Sequence, residues 1–202
     1  MDIDDFKDAL RTRPATEVVG EIILGPGAKF VSQEAIDHAT QRLRSEFRLA
    51  QQYQLEVVVV GSAKLGFSIA EKKVQGKPSL PRYREFDPVS SDIDLAIVSQ
   101  KLFYDIWRDL SAYSYRQTPF PWESPLSKYL VLGWLRPDKF PTVGRPLGCQ
   151  QWWELFNELS TSSIFKRKKV RGGLYFHRNF LNQYQQKAVL AAQQFERGES
   201  SL

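Results

Sequence analysis

The chain has 202 residues, 42% hydrophobic and 25% charged, an ordinary globular balance that gives material for one ample core with helical extensions. Lys and Arg number 28 against 23 Asp and Glu, and the resulting +5 favours polyanionic partners such as nucleotides, nucleic acid or phosphates. The longest apolar run is too short to cross a bilayer, the acidic start "MDIDDFKDAL" has no signal-peptide pattern, and the single Cys149 excludes an intrachain disulfide and a cysteine metal cluster, so a cytoplasmic protein without membrane insertion is expected.

In chain order, "EVVGEIIL" at 17–24 reads as a short strand or an apolar arm, broken by "GPG" at 25–27. Ser32 is placed to cap a helix running to about 52, with Ile36, Ala39, Leu43, Phe47 and Ala50 on its apolar face. "EVVVVG" predicts a central strand covered on both sides. Gly61 and Ser62 turn the chain into a short helix over "AKLGFSIAEKK". Residues 74–89, rich in Pro, Gly and basic side chains, read as an excursion from the core.

"DIDLAIVS" is the next strand, and "KLFYDIWRDLSAYSY" a helix with Leu102, Phe103, Ile106, Trp107 and Leu110 inward. "LSKYLVLGWL" fits helix and strand equally, and "CQQWWELFNELS" is helical. "KKVRGGLYF" reads as a strand, an edge strand bent at its glycines. A long final helix carries Phe180, Leu181, Tyr184, Ala188, Ala191 and Phe195 near one face. The expected class is α/β or α+β, a small mixed sheet flanked by helices in one domain.

Asp92 and Asp94 stand two apart on a strand, so their carboxylates share a face while Ile93, Leu95 and Ile97 point the other way. Two carboxylates that close repel unless a proton or a cation separates them. Mg²⁺ takes oxygen ligands and keeps waters and substrate phosphates as the rest of its shell, so the pair points to metal–triphosphate chemistry. Otherwise the aspartates are an exposed strand end. After "VVVV", the amides of Gly61, Ser62 and Ala63 begin a helix, an arrangement that cradles phosphate oxygens, and Gly61 lets the backbone come close.

With both halves in view, "VVVVGSAKLGFS" followed by "SSDIDLAIVS" resembles the nucleotidyltransferase superfamily that includes DNA polymerase beta, poly(A) polymerases and antibiotic adenylyltransferases. The likeness covers residues 55–98 or so. It implies a polymerase beta-like fold across 1–202, with helical elements at both ends. It also implies that Asp92 and Asp94 hold Mg²⁺ or Mn²⁺, that Gly61 and Ser62 hold the triphosphate, and that Lys64 reaches the same phosphates.

Two departures stand out. The interval between the Gly-Ser turn and the aspartates is long, and the excursion fills it; its Lys72, Lys73, Lys77, Arg82 and Arg84 are candidates for phosphate contact or for a solvated loop. The family's third carboxylate comes from a later strand, and "KKVRGGLYF" has none. Asp138 and Glu154 are substitutes by position only, and Asp105 and Asp109 lie on a predicted helix.

The resemblance implies transfer of NMP from a nucleoside triphosphate to a hydroxyl, with a nucleotide or nucleic acid as the acceptor that the charge favours. It also admits a role in bacterial defence, making an oligonucleotide signal for an effector or working with an antitoxin-type partner. Tyr83, Trp122, Trp134 and Tyr175 are candidate base-stacking residues, and "KRKKVR" at 166–171 is a candidate phosphate patch. The alternative is a catalytically inactive member that regulates a partner or binds nucleic acid. His38 and His177 read as structural or surface groups.

Overall fold

A computed structural model describes residues 1–74, 76–116, 123–136 and 139–198. The chain opens with α1 (Ile3–Thr12), held at its start by a reciprocal cap: the Asp2 side chain accepts from the Asp5 amide, and the Asp5 carboxylate accepts from the Asp2 amide. After Pro14, α2 (Ala15–Glu17) runs straight into a π-helical segment, Val18–Ile23. The stretch at 17–24 is therefore neither strand nor arm. Val18 and Ile22, like Val19 and Ile23, are four apart and share a buried helical face.

Ser32 caps α3 (Gln33–Glu46), its hydroxyl accepting from the Ala35 amide. The helix stops short of 52, and Arg48 lies at φ 48, outside helical space. Next come β1 (Glu56–Val60) and α4 (Ser62–Leu65), a single turn rather than the longer helix expected. The excursion contains a hairpin, β2 (Lys72–Val74) and β3 (Lys77–Leu80). Its base is stitched by bonds from the Ser68 amide to the Arg84 carbonyl and from the Phe86 amide to the Gly66 carbonyl. There follow β4 (Ile93–Val98), α5 (Gln100–Ser114), α6 (Glu123–Leu130), β5 (Trp134–Leu135), α7 (Leu147–Thr161), β6 (Val170–Tyr175) and α8 (Arg178–Glu196). "LSKYLVLGWL" thus divides between α6 and β5.

The main sheet has the order β1-β4-β6-β5. β1 runs antiparallel to β4, β6 parallel to β4, and β5 antiparallel to β6. Two expectations are reversed: β1 is an edge strand, and β6 is an inner one. β1 still reads as buried because helices cover both faces of the sheet. Val57, Val59, Ile93, Leu95 and Ile97 join a core built with α3, α5 and α7. Ala96, Val98 and Tyr175 join a second core built with α1, the π-helical segment and α8. Each fully buried Ile or Leu on β4 contributes roughly 1.5–3 kcal/mol relative to exposure.

Two helix faces differ from their sequence reading. Trp107 is 40% exposed rather than inward. On α8 the buried residues are Leu181, Gln185, Val189, Ala192 and Gln193, while Tyr184 and Phe195 are exposed. The face is shifted because Gln193 is buried with its donors met, Nε2 donating to the Leu10 and Arg13 carbonyls. Among the described residues no helix is long and apolar enough to cross a membrane.

Candidate nucleotide and metal site

The site begins where β1 ends. Gly61 has φ 69 and ψ −153, a region open essentially to glycine alone. This turn releases the chain from β1 into α4 directly beside β4. In the sheet register Val60 lies opposite Asp94. A Cβ on Gly61 would stand 3.2 Å from Asp94 Oδ2. The structure therefore brings together Gly61, Ser62, Asp92 and Asp94, residues about thirty apart in sequence. Gly61→Ala should cost roughly 1–3 kcal/mol from backbone strain and should also displace the Asp94 carboxylate. Denaturant unfolding checks it, and an unchanged midpoint would show that the turn relaxes freely.

Asp94 projects from the sheet face that farther along carries Ala96 and Val98. Asp92 precedes the strand at its more open end, with its side chain 27% exposed. Burial holds the Asp94 carboxyl above the usual carboxylate range; Arg171 opposes this, the Asp92 charge adds to it, and Lys72 opposes it. A carboxylate in that position favours a nearby cation.

Arg171 supplies one. In the parallel β4–β6 pairing Arg171 stands opposite Asp94, and its Nη2 is 2.7 Å from Asp92 Oδ2. Sequence reasoning placed Arg171 in a phosphate patch and missed this role. The apolar alternation of Val170 and Leu174 across β6 puts Arg171 on the opposite face, but only the pairing with β4 shows what it meets.

The other expected residues disperse. Lys64 turns inward: its amine donates to the Gly25 carbonyl at 2.5 Å, to Pro26 at 3.2 Å and to Gly27. All three ammonium donors are committed to backbone carbonyls, and burial lowers the amine's pKa. The "GPG" break and the Gly-Ser helix are thus pinned to each other through Lys64. Lys64→Met should destabilise the protein by about 1.5–3 kcal/mol, the range for hydrogen bonds to a charged group. Unchanged thermal unfolding would sink that assignment.

In the excursion Lys72 acts on Asp94, whereas Arg82 donates to the Ile69 carbonyl and lies over the Phe195 ring. The side chains of Lys73 and Lys77, and Trp122 and Asp138 entirely, lie outside the described residues. Trp134 and Tyr175 stack on one another, with centroids 5.6 Å apart at 3°, and Tyr83 lies edge-on to Phe67. In the basic run Lys168 donates to the Pro88 carbonyl and lies over Phe86. Lys166 and Arg167 hold φ 54 and 53 in consecutive left-handed positions and are exposed. A cavity of about 300 Å³ lies at this end of the sheet, lined by Lys29, Ser32, Lys166 and Lys168 with Phe30 and Ile164. His177 caps α8, its Nδ1 accepting from the Asn179 amide.

Asp105 sits on α5 bonded to Lys101, and Glu154 on α7 bonded to Gln150. Among the described residues no three His, Cys, Asp or Glu side chains gather as a metal-holding group. Asp92 and Asp94 are oxygen donors of the type a hard cation takes, and waters or phosphate oxygens would have to complete its shell. Among the described residues no third carboxylate joins them. Comparison of the chain with protein-family models, with curated proteins and with solved structures gives no match. Function therefore rests on the chemistry of these residues.

Proposed function

We propose that this chain is a nucleotidyltransferase that moves NMP from a nucleoside triphosphate to a hydroxyl acceptor. The observation that carries the reading is the 3.2 Å approach of the Gly61 Cβ position to Asp94, which sets the Gly61–Ser62 turn beside that carboxylate. Asp92 and Asp94 are the residues that would hold a Mg²⁺ or Mn²⁺ ion, which when bound would supply positive charge to screen the phosphates and acidify the acceptor. The Gly61–Ser62 turn lies against the triphosphate, with the Ser62 hydroxyl as a further donor. The acceptor hydroxyl releases its proton to solvent water as its oxygen forms a bond to the α-phosphorus, the bond to the bridging oxygen breaks, and pyrophosphate leaves with that electron pair. The cavity lined by Lys29, Lys166 and Lys168 favours a polyanionic acceptor, a nucleotide or a nucleic acid.

The test is incubation with each labelled ribo- and deoxyribonucleoside triphosphate and Mg²⁺ or Mn²⁺, beside Asp92→Asn and Asp94→Asn. Labelled product and pyrophosphate that vanish in both variants support the reading. Product that persists in both overturns the site.

One observation favours a second reading. Arg171, a cation rather than a third acid, stands beside Asp94 on the later strand β6 and pairs with Asp92. A non-catalytic member that binds nucleic acid through its basic surface would bind it equally well after Asp92→Ala.

A further inference from the structure

We infer that Arg171 is the resident counter-cation of the Asp92–Asp94 pair, excluding a free divalent ion until a polyphosphate draws the guanidinium away. The inference rests on the proposal that these aspartates hold the metal.

Three features carry it. The guanidinium lies within hydrogen-bond distance of Asp92, 2.7 Å from Oδ2, so an incoming ion must compete for that oxygen. The position is set by the sheet, because Arg171 and Asp94 are register partners on two inner strands, β4 and β6. The side chain is nonetheless 57% exposed, so an incoming anionic ligand can reach it from solvent.

The chemistry gives the exchange a direction. A planar guanidinium binds phosphate oxygens in a two-pronged fashion at least as well as it binds a carboxylate. A bare metal ion at Asp92 would either stand side by side with the Arg171 cation or turn it out into water without an anionic partner. A metal ion arriving with a polyphosphate offers Arg171 a new anionic partner at the moment it loses the old one. Metal and polyphosphate binding are then positively coupled, each raising the affinity of the other by the same factor. The pair stays closed to metal alone and opens to the metal–polyphosphate complex.

The measurement is binding of free Mn²⁺, and separately of a preformed Mn²⁺–tripolyphosphate complex, to the full chain by titration calorimetry. Wild type is compared with Arg171→Gln and Arg171→Asp, with thermal unfolding recorded for each. Arg171→Gln is expected to bind free Mn²⁺ about tenfold more tightly and the complex about tenfold more weakly, a change of roughly 1.4 kcal/mol in each direction. Arg171→Asp, which completes a three-carboxylate set, should bind free Mn²⁺ more tightly still. Adding Asp92→Asn to Arg171→Gln should remove the gain. Changes of the same sign for the two ligands, or no change in either, overturn the role of Arg171 while leaving the carboxylates as metal ligands. Absence of Mn²⁺ binding in all variants, Arg171→Asp included, overturns the metal site and this inference with it.

Discussion

Asp94→Asn is expected to lower metal-dependent NMP transfer by on the order of a thousandfold or more, about 4 kcal/mol of barrier, while making the metal-free protein more stable at neutral pH. Both effects come from one carboxylate. Burial raises the Asp94 pKa in the folded protein above its value in the unfolded chain. A group raised in this way gives its full stability below the unfolded pKa, where it is protonated in both states. That stability is lost as pH rises through the folded pKa, because the unfolded chain gives up the proton more readily. At neutral pH the metal-free wild type therefore bears the cost of a carboxyl group whose ionisation is penalised by burial, a cost that asparagine removes. In EDTA the variant should melt higher than wild type at pH 7, and the two should converge below the usual carboxylate range. Asp92→Asn should behave differently. Asp92 is more open and paired with the exposed Arg171, so its loss should shift stability little while transfer falls as far. A lower melting temperature for Asp94→Asn at pH 7 would refute the burial account, and wild-type transfer would refute the site.

The parts of this site that the sequence makes legible are those fixed within one element. Asp94 is placed by strand alternation against Ile93, Leu95 and Ile97, all three of which reach the core as expected, while Asp92 lies one residue ahead of the strand rather than on it. Gly61 is legible because a strand running into a helix needs a sharp turn there, and its positive φ bears this out. Ser32 is legible as a cap for the same local reason.

What is not legible depends on partners distant along the chain. Lys64 looks like a phosphate ligand from its neighbours, yet its partners are carbonyls 37 to 39 positions earlier. Arg171 looks like one cation of a basic run, yet its partner is reached only through a parallel strand pairing. The face of α8 is misplaced because apolar residues were followed and Gln185 and Gln193 were not. A polar side chain is admitted to a core when its donors are met, and that condition is tertiary. The π-helical segment escapes for another reason: adjacent apolar pairs at 18–19 and 22–23 satisfy more than one period.

The glycines of "VRGGLYF" join the fold to the site, and Gly172→Ala is expected to be the most destabilising small substitution near it. Read alone, the pair suggests a bend in an edge strand. In the structure β6 lies between β4 and β5, and Gly172 faces the core beneath Phe156 and Trp152. Those rings stack with centroids 4.8 Å apart and are almost wholly buried. A Cβ on Gly172 would stand 2.2 Å from Phe156 Cζ and 2.7 Å from Trp152 Cζ2, inside any permissible contact. Both rings are buried and stacked on each other, so relieving the clash is expected to move α7 or lift β6 from its neighbours. Overpacking of this kind costs roughly 1–3 kcal/mol and occasionally more. At about 3 kcal/mol, a chain of this size should melt roughly 6–12 °C lower. Gly20→Ala is the matched control, since nothing lies within 4 Å of its Cβ position and the residue sits within a helical segment. It should be neutral or stabilising by about 0.4–1 kcal/mol. Because Arg171 adjoins Gly172 on the same strand, lifting β6 should also loosen the hold on Asp92 and bring free Mn²⁺ binding closer to that of Arg171→Gln. A Gly172→Ala protein that melts with wild type would mean that the α7 rings do not press on β6, and that β6 is not held in register by that packing.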